Sequence, residues 1–149
     1  MTGKGSPFDL EFDLLTETEA PADFSPERAE RLARHLLGAE QATGSWSVAV
    51  ALVDDFRLQE LHRDFMGIDE PTDVMTFAAG IPGMGGGDIV ISVDRAAEQG
   101  PEHGLTAAEE TMFLISHGLL HLCGWEDATD TERAVMLDRQ REIIASFGE

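Results

Sequence analysis

The stretch SHGLLHLCGWED, residues 116 to 127, constrains this 149-residue chain more than any other. His117 and His121 stand four apart, so on a helix both imidazoles leave the same face and can converge on one ion. Gly124 supplies a left-handed stop for that helix, and the chain can then double back with a carboxylate, Glu126 or Asp127, approaching the same point from the side. Zinc accepts neutral imidazole nitrogen at about 2.0–2.1 Å, and a catalytic centre typically uses three protein ligands and leaves a fourth position for water. The bland alternative is a pair of packed histidines, because an HxxxH spacing alone is a frequent accident. A glycine brake followed at once by two acids has no packing purpose, and it tips the reading to a metal centre. Leu119, Leu120 and Leu122 are assigned to the core. A zinc protease would carry Glu directly after the first His as general base; Gly118 stands there, which disfavours peptide hydrolysis. Proton transfer then falls to another acid, with Glu126, Asp88 and Asp73 as candidates. Acids at strand starts also commonly bond neighbouring amides, which is the competing role for Asp73 and Asp88.

The rest of the chain predicts an α/β domain built around this helix. Residues 8 to 15 alternate apolar and polar positions, and Trp46, Val48, Val50 and Leu52 alternate with small residues, so strands are expected over 8–15 and 45–53. Ser25-Pro26 starts a helix along Ala29, Leu32, Ala33, Leu36 and Leu37, with Gly38 as its stop. Asp54 or Asp55 caps a second helix whose apolar positions are Leu58, Leu61 and Phe65. Pro71 disfavours helix at Glu70, TDVMTF and DIVIS read as strands, and GIPGMGGG (80–87) between them reads as a flexible loop. Capping boxes Thr106/Glu109 and Thr129/Glu132 open the metal helix and a last helix whose Val135, Met136, Ile143, Ile144 and Phe147 face inward. The expected architecture is one domain over 1–149: a small mixed sheet of about four strands covered by about five helices, of α+β type, with a zincin-like metal helix.

Composition narrows the partners. Twenty-nine acids against ten bases leave a net charge of −19, which repels anions at long range and excludes a broad Lys-rich nucleic-acid surface. Any phosphate contact would use a few guanidinium groups, since nine of the ten bases are Arg. Arg28, Arg31 and Arg34 recur every third residue and read as a solvated helix face in preference to a binding stripe. A single cysteine, Cys123, excludes an internal disulfide framework, and the first residues lack an export signal; a cytoplasmic protein with no membrane span is expected.

Three blocks together resemble the YbeY family of metal-dependent endoribonucleases, implicated in bacterial ribosomal RNA maturation. His117, Gly118, Leu120, His121, Leu122 and Gly124 fit its H-G-x-L-H-L-x-G-x-D-H motif. Asp69, Pro71, Thr72, Asp73, Val74 and Phe77 resemble its D-x-P-T-D-V-L-S-F block, and Gly87, Asp88, Ile89 and Ser92 its G-D-I-x-I-S strand. The resemblance implies one zinc ion per chain on His117, His121 and Asp127, and cleavage of single-stranded ribosomal RNA or action on the small ribosomal subunit. Three positions depart. Asp127 replaces the third metal-binding His and follows Glu126 where the family has Asp; a carboxylate lowers the charge of the centre by one unit, weakening its Lewis acidity. Met66 replaces an Arg, and Met cannot fork hydrogen bonds to a phosphoryl group. His62 replaces an Asn. Arg63, one turn before Met66, is the candidate substitute cation, and Glu126 and Asp88 are the acid–base candidates. Phe65 is expected in the core and not as a base-stacking platform. The alternative function is a weak or inactive metal-stabilised domain that binds a ribosomal or other protein; hydrolysis of a small ester or amide ranks third.

Overall fold

The computed structural model of the chain describes residues 7–68, 70 and 72–148. Asp69 and Pro71, used above in the strand block, lie outside the described residues. Four strands, β1 (Phe8–Thr16), β2 (Gly44–Val53), β3 (Val74–Ala78) and β4 (Met84–Ser92), form one sheet in the order β1-β2-β4-β3. The first three neighbours run parallel and β3 returns antiparallel along β4, so the sheet is mixed, as expected. Five α-helices accompany it: α1 (Pro26–Ala39), α2 (Asp55–Met66), α3 (Val93–Gln99), α4 (Ala107–Leu122) and α5 (Asp130–Phe147).

Strand alternation sends side chains to two faces. Val48, Val50, Leu52, Ile89 and Ile91 meet Leu32 and Leu36 of α1 and Ile115 and Leu119 of α4 in the main core. Val90 and Met75 turn the other way and meet Leu58 and Leu61 of α2. The metal helix α4 therefore lies on the opposite face of the sheet from α2. Its approach to β4 depends on Gly118: a Cβ there would meet the Ile89 side chain at 2.8 Å.

Local signals hold at most helix ends. Ser25, Asp54, Thr106 and Thr129 each accept a backbone N–H, and both capping boxes are complete. Three expectations are corrected. Gly38 lies inside α1, which ends at Ala39 with Glu40 as its cap, and the left-handed residue beyond it is Gln41. Val135 is 51% exposed, because the inward face of α5 follows Met136, Gln140 and Ile143. The Gly-rich segment is not all loop: Met84–Gly87 belongs to β4, paired with β2. Strand neighbours explain its composition. A Cβ on Gly86 would overlap the Ser47 carbonyl of β2, and one on Gly87 the Phe77 carbonyl of β3. Both glycines also hold positive φ, at 104° and 148°.

A Gly86→Ala substitution is expected to destabilise the protein by about 3 kcal/mol or more, since backbone strain and a backbone clash act together. Urea denaturation checks this; an unchanged midpoint would contradict the close strand packing.

Candidate metal centre

The end of α4 builds the site. Cys123 caps the helix, Gly124 turns left-handed at φ 103°, and the Trp125 N–H returns to the Leu120 carbonyl at 3.0 Å while the Gly124 N–H reaches His121 at 2.9 Å. These two bonds make a Schellman closure, which reverses the chain so that Asp127 faces the helix it has just left. Trp125 holds the reversed segment by donating its indole N–H to Glu40 at 2.7 Å, and Glu40 in turn pairs with Arg139 at 2.6 Å. Arg133 of α5 donates to the Asp127 carbonyl at 3.2 Å.

His117 Nε2, His121 Nε2 and Asp127 Oδ2 converge at mutual distances of 3.2, 3.2 and 3.3 Å. A tetrahedral ion bound at about 2.0–2.1 Å holds its donor atoms about 3.3 Å apart, so the spacing fits a small divalent cation. The ring orientations fit too. His121 Nδ1 donates to the Trp125 carbonyl at 3.0 Å, and His117 Nδ1 donates to Gln140 Oε1 at 3.1 Å. Gln140 is fully buried, and its amide is oriented because Nε2 donates to the Phe113 carbonyl and to Ser116 Oγ, each at 3.2 Å. With both Nδ1 atoms donating to oxygen, each ring turns its Nε2 toward the carboxylate oxygen. Three acceptors facing one another without a proton repel, and a cation between them removes that repulsion. The neighbouring Cys123 is not part of this converging group; burial, with Glu40 nearby, pushes its thiol up to about 12.

A cavity of about 350 Å³ opens beside His117 and Asp127. Asp73, Glu110 and His103 line one side, Arg133 and Leu137 the other. Glu110 is buried, and accepts from His103 Nδ1 at 2.9 Å and from Gln99 Nε2 at 3.3 Å; Gln99 also donates to Asp73 at 3.2 Å.

Of the residues singled out in the sequence, His117, Asp127 and Asp73 line this cavity, and His121 joins His117 and Asp127 in the converging triad. Glu126 is exposed and outside the triad. Asp88 alternates with Ile89 and so turns to the opposite face of the sheet, where it lines a separate hollow with Phe65 and Phe77. Arg63 pairs with Asp64 on α2 and does not line the cavity. Neither does Met66, which is exposed on α2. The expectation that Arg63 reaches this site is therefore corrected: α2 packs on the other face of the sheet. Phe65 is corrected likewise, being 66% exposed with an edge contact to Phe77. His62 accounts for its own departure by bonding the Glu70 carbonyl at 2.8 Å. Sequence reasoning missed Gln140 and Arg133. Arg133 was legible only as a base six residues beyond Asp127, and Gln140 carried no signal beyond being a polar residue on the inward face of α5.

The family profile described as Endoribonuclease YbeY matches residues 15–148. Endoribonuclease YbeY of Geobacillus thermodenitrificans is 35% identical over 151 residues, covering 93% of this chain and 97% of that protein. The Geobacillus kaustophilus protein of the same name is 36% identical with the same coverage. That of Halalkalibacterium halodurans is 34% identical over 158 residues, covering 93% and 96%. In fold the chain is similar to the solution structure of TM1509 from Thermotoga maritima, with a TM-score of 0.62, 24% identity, and coverage of 92% of this chain and 89% of that one.

Two outcomes are expected. Gln140→Leu should lower divalent-metal affinity about 10–100-fold, the usual cost of losing a partner that orients a ligating His, while Gln140→Glu, which still accepts from Nδ1, should lose less; competition with a chromophoric chelator measures both. His103 is held above its ordinary value by its hydrogen bond to Glu110 and by that carboxylate's charge. A raised folded-state value means that the pair's stabilisation is present in full below about pH 6.5 and is lost as pH rises through the folded value. The stability difference between wild type and His103→Gln should accordingly be largest near pH 6 and fade above the raised value; urea midpoints across pH test this, and a difference growing with pH would contradict it.

Proposed function

Since the chain belongs to the YbeY family, we propose that it is a metal-dependent endoribonuclease that cleaves phosphodiesters of single-stranded RNA in ribosomal RNA maturation, acting as one cytoplasmic domain with one zinc ion. The observation that carries the reading is the convergence of two imidazoles and a carboxylate at the donor spacing of a tetrahedral ion. Ribosomal RNA within the small subunit is the substrate that family membership favours. No helix among the described residues is long and apolar enough to cross a membrane.

When bound, the ion supplies Lewis acidity to the phosphodiester and to water. The chain's own groups then have distinct tasks. His117, His121 and Asp127 hold the ion, with Gln140 and the Trp125 carbonyl fixing the two rings. Arg133, on the rim of the same cavity and paired with Asp130, supplies a positive charge toward a non-bridging phosphoryl oxygen, a charge that Met66 cannot supply. Asp73, whose neighbour Gln99 holds it at the cavity wall, accepts the proton released on attack. Glu126 and Asp88 are left without a direct role, since neither lines that cavity. The alternative, an inactive metal-stabilised domain docking a protein, is not favoured: the relatives named above are called endoribonucleases and align over nearly their whole length.

Elemental analysis is expected to find one zinc per chain, and chelation to abolish cleavage of a single-stranded ribosomal RNA fragment, with recovery on adding zinc. His117→Ala and Asp127→Ala should each lower kcat/KM by at least about 100-fold and leave the circular dichroism spectrum folded. Fully metallated wild type that leaves the RNA intact overturns the proposal.

A further inference from the structure

A second cavity, of about 550 Å³, lies between α4 and α5 and continues the one at the metal centre: His103, Phe113 and Leu137 line both. Its walls are chiefly apolar, with Met112, Ile144 and Phe147 added to the shared Phe113 and Leu137. Guanidinium groups stand at its rim. The Arg28 guanidinium lies 5.6 Å from the centre of the Phe147 ring, so the three-residue Arg repeat of α1 is not simply a solvated face. Arg141 makes no ion pair with the described residues, whereas Arg34, Arg57, Arg63, Arg95, Arg133 and Arg139 all do. Glu109, the acid at this rim, is occupied by the capping box, accepting the Thr106 N–H at 2.9 Å.

The spacing along α5 gives the two cavities a direction. Arg133, Leu137 and Arg141 recur every four residues and so share one helix face, about 12 Å from first to last at the helical rise. In a chain of net charge −19, two guanidinium groups on one face, with an apolar hollow between and behind them, are a local exception. A nucleotide needs this combination: an aromatic and aliphatic surface for the base and a cation for its phosphate. A protein segment would be served by the hollow alone, but not by its continuity with a phosphodiester-cleaving site.

We propose that this cavity is a subsite for one nucleotide of the single-stranded RNA flanking the scissile bond, its base lodged against Phe113, Leu137 and Ile144 and its phosphate on Arg141. The assignment rests on the endoribonuclease reading and extends it, because it states on which side of the metal centre the RNA lies. Ala145 lines the cavity while remaining exposed, so Ala145→Trp can fill the mouth without disturbing the core.

The test uses the zinc-loaded full chain and a labelled single-stranded RNA oligonucleotide, with a version whose scissile bridging oxygen is replaced by carbon, and so cannot be hydrolysed, for binding by fluorescence anisotropy. Ala145→Trp and Arg141→Ala are each expected to raise KM and Kd about ten-fold with kcat within about two-fold, the size expected for losing one stacked base or one phosphate contact. Arg141→Ala should also reduce the slope of log Kd against log salt by about 0.7, the value for one phosphate on a single strand. An oligonucleotide made abasic at the flanking position should bind wild type and Ala145→Trp equally. Wild type that cleaves normally while both variants match it in KM, Kd and salt slope overturns the subsite and leaves the endoribonuclease reading standing. A fall in kcat with KM unchanged also overturns it. Wild type that neither binds nor cleaves RNA overturns both.

Discussion

The contact between Gly118 and Ile89 sets the reference for the whole site. Because residue 118 has no side chain, α4 settles on β4 closely enough that even a methyl group would meet Ile89 at 2.8 Å. That depth fixes the helix against the sheet, and His117 and His121 then emerge along its flank, where α5 can bring Gln140 to one ring and the Schellman reversal can bring a carbonyl to the other. The same contact explains why the residue after the first histidine is not an acid. A glutamate at 118 would have to occupy the space filled by the sheet, so proton transfer must come from elsewhere in the cavity. Packing and chemistry thus make one choice at this position.

What the sequence disclosed follows from how local each determinant is. Helix starts at Ser25, Asp54, Thr106 and Thr129 were readable because a cap and its N–H lie within three residues. The Gly124 reversal was readable for the same reason, and with it the return of an acid toward the histidine pair. Determinants that depend on distant partners were not readable. The glycines of β4 look like a loop until the carbonyls of Ser47 and Phe77 are known to lie against them. Gln140 is 23 residues from His117, and only the packing of α5 on α4 turns a polar residue into the group that orients a ring. Asp88 and Arg63 lie away from the cavity at the triad for a topological reason: resemblance gives positions in a motif, whereas the face of the sheet follows from strand alternation and from which helix covers it.

Electrostatics bind the loop carrying Asp127 to the rest of the domain. Trp125 reaches Glu40 at the end of α1, Glu40 pairs with Arg139 of α5, and Arg133 closes the loop on its own carbonyl. Three helices therefore determine where the third donor sits. Each link has a charged partner, the class of hydrogen bond in which net contributions are largest, so the loop is tied to the helices without any disulfide. The net charge of −19 repels polyanions at long range, so the guanidinium groups near the cavity are a local exception to the acidic surface.

Asp127 and the guanidinium beside it are connected through α5. A carboxylate donor would lower the charge of a divalent centre by one unit relative to an imidazole. Arg133 stands beside it, held by a hydrogen bond to the backbone of Asp127 itself. The cation consequently travels with the ligand: any shift of the loop that moves Asp127 moves the guanidinium with it. Anchoring both on one short segment keeps a positive charge beside the three converging atoms, whereas α2, which carries Met66, packs on the other face of the sheet.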